Sequence, residues 1–191
     1  MGQYYKPCIL KDKEQETDNE VILAYMNSHD YDTGLKLMQH SWIRNTFVST
    51  FEHLIAEKRL RIVWAGDYAD EEPNTEVTLY KLCNDTNRAK PKISKKVYRY
   101  VINHSEKLYV DKRAVPITQV YKYIDKKGVE KSNIFRIHPL PLLTCEGNGG
   151  GGGDFYGQDG ENVIGTWARD IVSVSNNIPE GYKELKFNLK E

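Results

Sequence analysis

The sequence predicts an α+β fold, mainly an antiparallel sheet, with two helices near the N-terminal third. Three observations carry that expectation. Apolar residues at helical spacing concentrate in residues 34–58, short β-branched and aromatic runs recur through the rest, and several of those runs are joined by brief turns. Runs of strands after early helices point to antiparallel hairpins, whereas alternating strand–helix units would give a parallel sheet. The echo between WAGD (64–67) and WARD (167–170) is too short to be a repeat, so one domain spanning 1–191 is expected.

Gln3 to Leu10 reads as the first strand, with Pro7 marking an edge or a bend because proline cannot donate to a ladder. The charged stretch 11–20 is a loop, and Val21 to Met26 is a short apolar strand. Gly34 to Ser41 reads as a short helix. Asn45 is a candidate N-cap for a longer amphipathic helix, Thr46 to Lys58, in which Phe47, Val48, Phe51, Leu54 and Ile55 recur at three and four residues. Leu60 to Trp64 is a strand, and Thr75 to Cys83 is assigned to helix. Lys96–Asn103 and Lys107–Asp111 form a hairpin around Ser105-Glu106; Val120–Ile124 and Asn133–Ile137 form another around 125–128. Leu140–Thr144, Asn162–Trp167, Asp170–Ser175 and Tyr182–Phe187 complete the expected strands.

Lys+Arg and Asp+Glu both number 27, and this balance argues against a chain built mainly to hold nucleic acid. The basic run Lys90 to Lys96 reads as a solvated loop or strand edge. Cys8, Cys83 and Cys145 are odd in number and form no CxxC pair, so neither a cysteine zinc site nor a disulfide scaffold is supported. No apolar run approaches a membrane span and no signal peptide opens the chain, so a soluble cytoplasmic protein is expected. The 13 tyrosines suit half-wet sheets as well as binding surfaces.

The stretch GNGGGGGDF, Gly147 to Phe155, is the strongest candidate site. Consecutive glycines can turn several backbone N–H groups into one concavity that binds an anion. Gly147, Gly149 and Gly152 satisfy G-x-G-x-x-G, but the following DFYGQDG cannot open the helix that a dinucleotide fingerprint requires. A flexible connection is the competing reading; the apolar HPLPLLT before the loop and Asp154, Phe155 and Tyr156 after it favour a site.

Asp67, Asp70, Glu71 and Glu72 leave a strand together, which suits a hard cation or acid–base work, although a solvated loop explains them more simply; no metal is assigned. His29-Asp30 is an HD dipeptide, but HD hydrolases need further His and Asp on a helical scaffold and this chain is strand-rich, so the match is coincidental. No Ser/His/Asp arrangement emerges around His40-Ser41. Tyr98, Tyr100 and Tyr109 fit a base-stacking platform or ordinary cross-strand pairs.

The segments MGQYYK, SHDYDTGLKLMQHS, WAGDYADEE, VINHSEKLYVD, IHPLPLLTCEGNGGGGGDF, GTWARD and PEGYKEL, taken in order, resemble a family of proteins from gut bacteria and their phages. No activity is assigned to that family, so the resemblance implies no catalytic residue, cofactor or substrate. Its pattern has an arginine inside the glycine loop where this chain has Gly150, and Thr-Lys where this chain has Ser105-Glu106. Arg169 and Arg44 are the arginines considered as compensation.

The leading expectation is therefore a site for a small phosphorylated or nucleotide-like anion. Gly147, Gly149, Gly151 and Asp154 would form its cradle and Asp67 and Asp70 its carboxylates. His40 would serve as acid/base, with Trp42 and Trp167 as aromatic partners. The rival is a non-enzymatic factor, such as a phage or mobile-element accessory protein, that binds a protein partner through aromatic surface. No reaction is named.

Overall fold

Side chains alternate across a strand, and here the alternation feeds two apolar layers at once. In the computed structural model, which describes residues 2–17, 21–73, 75–155 and 163–188, β1 (Tyr5–Leu10) and β3 (Leu60–Gly66) lie side by side. Ile9, Ile62 and Trp64 point into the main core, while Cys8, Leu10, Val63 and Ala65 join a smaller cluster on the opposite face. Burial on both faces is why LRIVWAG reads as a continuous apolar run.

These strands belong to a seven-stranded sheet with β2 (Ile22–Tyr25), β4 (Tyr100–Asn103), β5 (Leu108–Asp111), β8 (Ile171–Ser175) and β9 (Lys183–Glu184). The order is β2-β1-β3-β8-β4-β5-β9, antiparallel throughout except for the β5–β9 edge pair. A separate two-stranded sheet pairs β6 (Gln119–Ile124) with β7 (Glu130–Phe135). The fold is thus mixed α and β, mostly sheet.

Four short helices accompany the sheets among the described residues. The helices α1 (Leu37–His40) and α2 (Thr46–Ile55) lie early in the chain; α3 (Leu79–Leu82) and α4 (Pro139–Leu143) lie further on. Asn45 caps α2 through its side-chain oxygen, which accepts from the Phe47 and Val48 N–H groups. Phe47, Val48, Phe51 and Ile55 then make one buried stripe on the main core, where Phe51 meets Trp64 edge-to-face at 4.9 Å. The smaller cluster is closed by Leu79 and Cys83 at α3.

Several expectations change in three dimensions. Leu140–Thr144 is helical, not extended: His138 caps α4 by accepting from Leu140 N–H at 3.2 Å, and Pro139 takes the first helical position, where no N–H is needed. Only 79–82 of the helix assigned to 75–83 forms. Residues 163–170 make turns instead of a strand, tied to α4 by Gly165 N–H to Leu142 O and Trp167 N–H to Leu143 O, both 2.8 Å. Asn162, the start of that assigned strand, and Tyr156 lie outside the described residues. Pro7 is not on an edge strand; its carbonyl accepts from Met26 N–H where β2 ends, so its missing donor disrupts no ladder bond within β2.

Candidate functional site

The glycine loop is a built turn, and the anion it holds is its own. Asp154 is buried, and its Oδ2 accepts from Gly149 N–H at 2.7 Å and Gly151 N–H at 2.9 Å. Its Oδ1 accepts from the Tyr5 hydroxyl at 2.9 Å. Desolvation, with Cys145 and Asp154 close by, pushes the Tyr5 phenol pKa far up, so the hydroxyl stays a donor. Backbone N–H groups gathered for an anion are therefore directed at an internal carboxylate. Asn148 locks the loop further, donating to Phe155 O and accepting from Phe155 N–H.

Close approach explains the glycines better than ligand access does. A Cβ on Gly147, at φ +82°, would lie 2.8 Å from Ala69 N; one on Gly151 would lie 2.8 Å from Gln3 N. The loop is laced to the segment just before β1 by Gln3 N–H to Gly152 O and to α1 by Met38 N–H to Gly153 O. The glycine loop, the WAGD loop and the α1 segment do converge, but as packed backbone.

A cleft of about 550 Å³ opens beside this junction, lined on one side by the WAGD loop and on the other by residues 145–148. Gly147 and Asp70 line it. Asp67 instead extends the β1–β3 ladder, its Oδ1 accepting from Tyr4 N–H at 2.9 Å. Arg169 spans the cleft wall and is claimed by two carboxylates, Glu72 and Glu146. Burial works against its charge, but those ion-paired hydrogen bonds outweigh it and hold the guanidinium protonated.

The three aromatic and acid–base candidates lie in the core or beside it. His40 is fully buried. Trp64 Nε1–H donates to its Nε2 at 3.0 Å, so the proton sits on Nδ1, facing Gly34 O at 2.9 Å. Desolvation lowers its pKa to about 4 despite the Gly34 contact, so it is a neutral structural imidazole with both nitrogens committed, contrary to the acid/base expectation. Trp42 donates to Met38 O and packs edge-on against Phe135 at 5.7 Å. Trp167 is buried in the main core. Tyr98 and Tyr100 are buried as well, which removes the proposed stacking platform.

A second cleft, about 510 Å³, has the opposite character. Five cationic side chains line it: Arg44, Arg99, Lys112, Arg113 and Arg136, with no carboxylate among the lining residues. Ile43, Val97, Tyr98 and Ile134 supply an apolar wall. Arg99 is held in place by Asp111, which accepts from both Nε and Nη2; that contact keeps the Asp111 carboxyl below its usual range. Arg136 donates to Arg113 O at 3.2 Å. Arg44, Arg113 and Arg136 form no ion pair among the described residues.

Lys112 is 5% exposed and reaches from this cleft into a buried ion pair with Glu52 of α2. His138 Nε2 lies 3.2 Å from Glu52 Oε1, in ion-pair range but without the alignment of a hydrogen bond. Desolvation opposes the Glu52 charge, but His138 and Lys112 reverse that effect and lower its pKa; desolvation lowers that of His138. A buried lysine needs such a partner, and the pair fixes the ammonium beneath the arginines.

Sequence reasoning nominated Arg44 alone of these cations. The others come from the start of β4, the end of β5 and the end of β7, and no local spacing joins them. Among the described residues, no three His, Cys, Asp or Glu side chains gather as a metal site, and no helix is long and apolar enough to cross a membrane. Comparison with protein-family models, curated proteins and solved structures finds no match to this chain.

Proposed function

We propose that this chain binds a small phosphorylated or nucleotide-like ligand, and that the arginine-lined cleft rather than the glycine loop receives it. The observation that carries the reading is Arg44, Arg113 and Arg136 converging on one cleft with no carboxylate in its lining. Guanidinium groups match phosphate oxygens bidentately. The volume suits a compact ligand, and the wall of Ile43, Val97 and Tyr98 suits a ring or other apolar moiety. Lys112, matched by Glu52, and the glycine loop support the scaffold. The three cysteines are free thiols, Cys8 and Cys83 included although their sulfurs lie 3.5 Å apart, which supports a cytoplasmic setting.

The test is isothermal titration with pyrophosphate and a panel of mononucleotides. Saturable binding is expected. It should weaken about tenfold or more in each of Arg113→Ala and Arg136→Ala, since a hydrogen bond to a charged group is worth about 1.5–3 kcal/mol. Asp154→Ala should lower the melting temperature yet leave affinity intact. No binding across the panel, or loss of affinity in Asp154→Ala alone, would overturn the reading.

A further inference from the structure

The β6–β7 hairpin has two unlike faces. Register pairs Gln119 with Phe135, Tyr121 with Asn133 and Tyr123 with Lys131 on one of them. Only the base of that face is tied to the body, where Phe135 packs on Trp42 at 5.7 Å and Tyr121 on Phe135 at 5.4 Å; Tyr121 and Tyr123 stay 57% and 44% exposed. The other face pairs Val120 with Ile134, Lys122 with Ser132 and Ile124 with Glu130. Its three aliphatics are 53%, 57% and 73% exposed for Val120, Ile134 and Ile124. Ile134 also walls the basic cleft and Arg136 follows two residues later, so the apolar stripe runs out from the arginines.

We infer that this outer face docks an extended, acidic segment of another protein, added beside the hairpin as a further strand. An isolated two-stranded ribbon is marginal by itself, and its edges are templates for strand addition. Alternate apolar residues of a segment added beside β6 would meet Val120 and Ile124, since both strands repeat every two residues, and Ile134 continues the apolar surface one strand further in. Charge selects the partner. Within the ribbon Lys122 pairs with Glu130 and Lys131 with Asp125, each at 2.9 Å. This leaves Lys126 and Lys127 at the turn and, at the base, Arg44, Arg113 and Arg136, which form no ion pair among the described residues, as unmatched positive charge at the two ends of the stripe. Two copies of this chain would bring like charges together, which disfavours self-pairing. The outer stripe offers a nucleic-acid strand no stacking ring; such a strand would have to use the exposed Tyr121 and Tyr123 of the opposite face, which the substitutions below leave intact.

This inference goes beyond the small-ligand reading and does not require it, because Val120 and Ile124 lie outside the cleft. The experiment uses fluorescence anisotropy of the full chain with a short labelled peptide alternating glutamate and valine. The controls are a lysine–valine peptide and a single-stranded oligonucleotide. The glutamate–valine peptide should bind and the lysine–valine peptide should not. The double substitution Val120→Thr with Ile124→Thr should weaken peptide binding about tenfold, while thermal stability and pyrophosphate affinity stay unchanged. Three results would overturn the inference: no peptide binding, oligonucleotide binding that the double substitution leaves untouched while the peptide fails, or a dimer in sedimentation that the substitution dissolves.

Discussion

A buried polar side chain earns its place through its partners, and Asp154 and His40 show two versions of that rule. The Asp154 carboxylate closes the glycine loop by accepting three hydrogen bonds, so an Asp beside glycines announces an anion site whose anion is internal. His40 is held neutral between Trp64 and Gly34. Its folded pKa of about 4 lies below the unfolded value, so the unfolded chain binds the proton more readily. Stability is therefore full above pH about 6.5 and falls as pH drops toward 4. From pH 7 to pH 5 the loss from His40 alone should be about 2 kcal/mol, with buried His138 acting in the same direction. Urea unfolding at the two pH values measures it, and a His40→Gln chain should show a shallower slope. Equal slopes would mean that His40 is not the group responsible. Asn45 was legible in the sequence because a cap acts within three residues; the duty of Asp154 was not, because Tyr5 lies 149 residues away.

At the scale of elements, the Glu52–Lys112 pair joins α2 to the end of β5, with His138 at the start of α4 beside it. Breaking such a pair leaves one buried charge without a counter-ion, whereas replacing both partners removes the problem. Lys112→Met alone should cost about 3–5 kcal/mol, and the double change Glu52→Leu with Lys112→Met should recover most of that loss. Equilibrium denaturation of the three variants closes the cycle; additive losses would show that the two side chains do not act as a pair. Elements with their own periodicity were readable: α2 from Phe47, Phe51 and Ile55, and the β6–β7 ribbon from its turn at 125–128. The segment 140–144 was misread as strand because its apolar run carries no period, and the deciding signal was Pro139 behind a capping His138.

Across the whole molecule, zero net charge conceals separation. One cleft carries Asp70, Glu71, Glu72 and Glu146 around a single Arg169, while the other gathers five cations. Composition argues against a polyanion partner only when charges are evenly spread, and here they are not. Ligand affinity at the basic cleft should therefore fall several-fold when salt is raised from roughly 0.05 to 0.5 M, because screening acts on exposed arginines over about 10 Å or less. Titration of pyrophosphate at the two salt concentrations checks this; an unchanged affinity would point to binding through the apolar wall instead.

Local pattern by itself determined the main strands, the capped helix α2 and the mainly antiparallel character of the sheet. The strands and the helix rest on spacings of two to four residues, and the antiparallel character on the order of elements, strands following strands, all of which a chain carries along its length. Tertiary structure decided the rest. The Tyr5 hydroxyl closed on Asp154, His40 became a core imidazole, and arginines from four distant segments came to share one cleft. Those outcomes depend on which strands lie side by side. The order β2-β1-β3-β8-β4-β5-β9 brings residues more than a hundred positions apart into contact, and no local spacing encodes it.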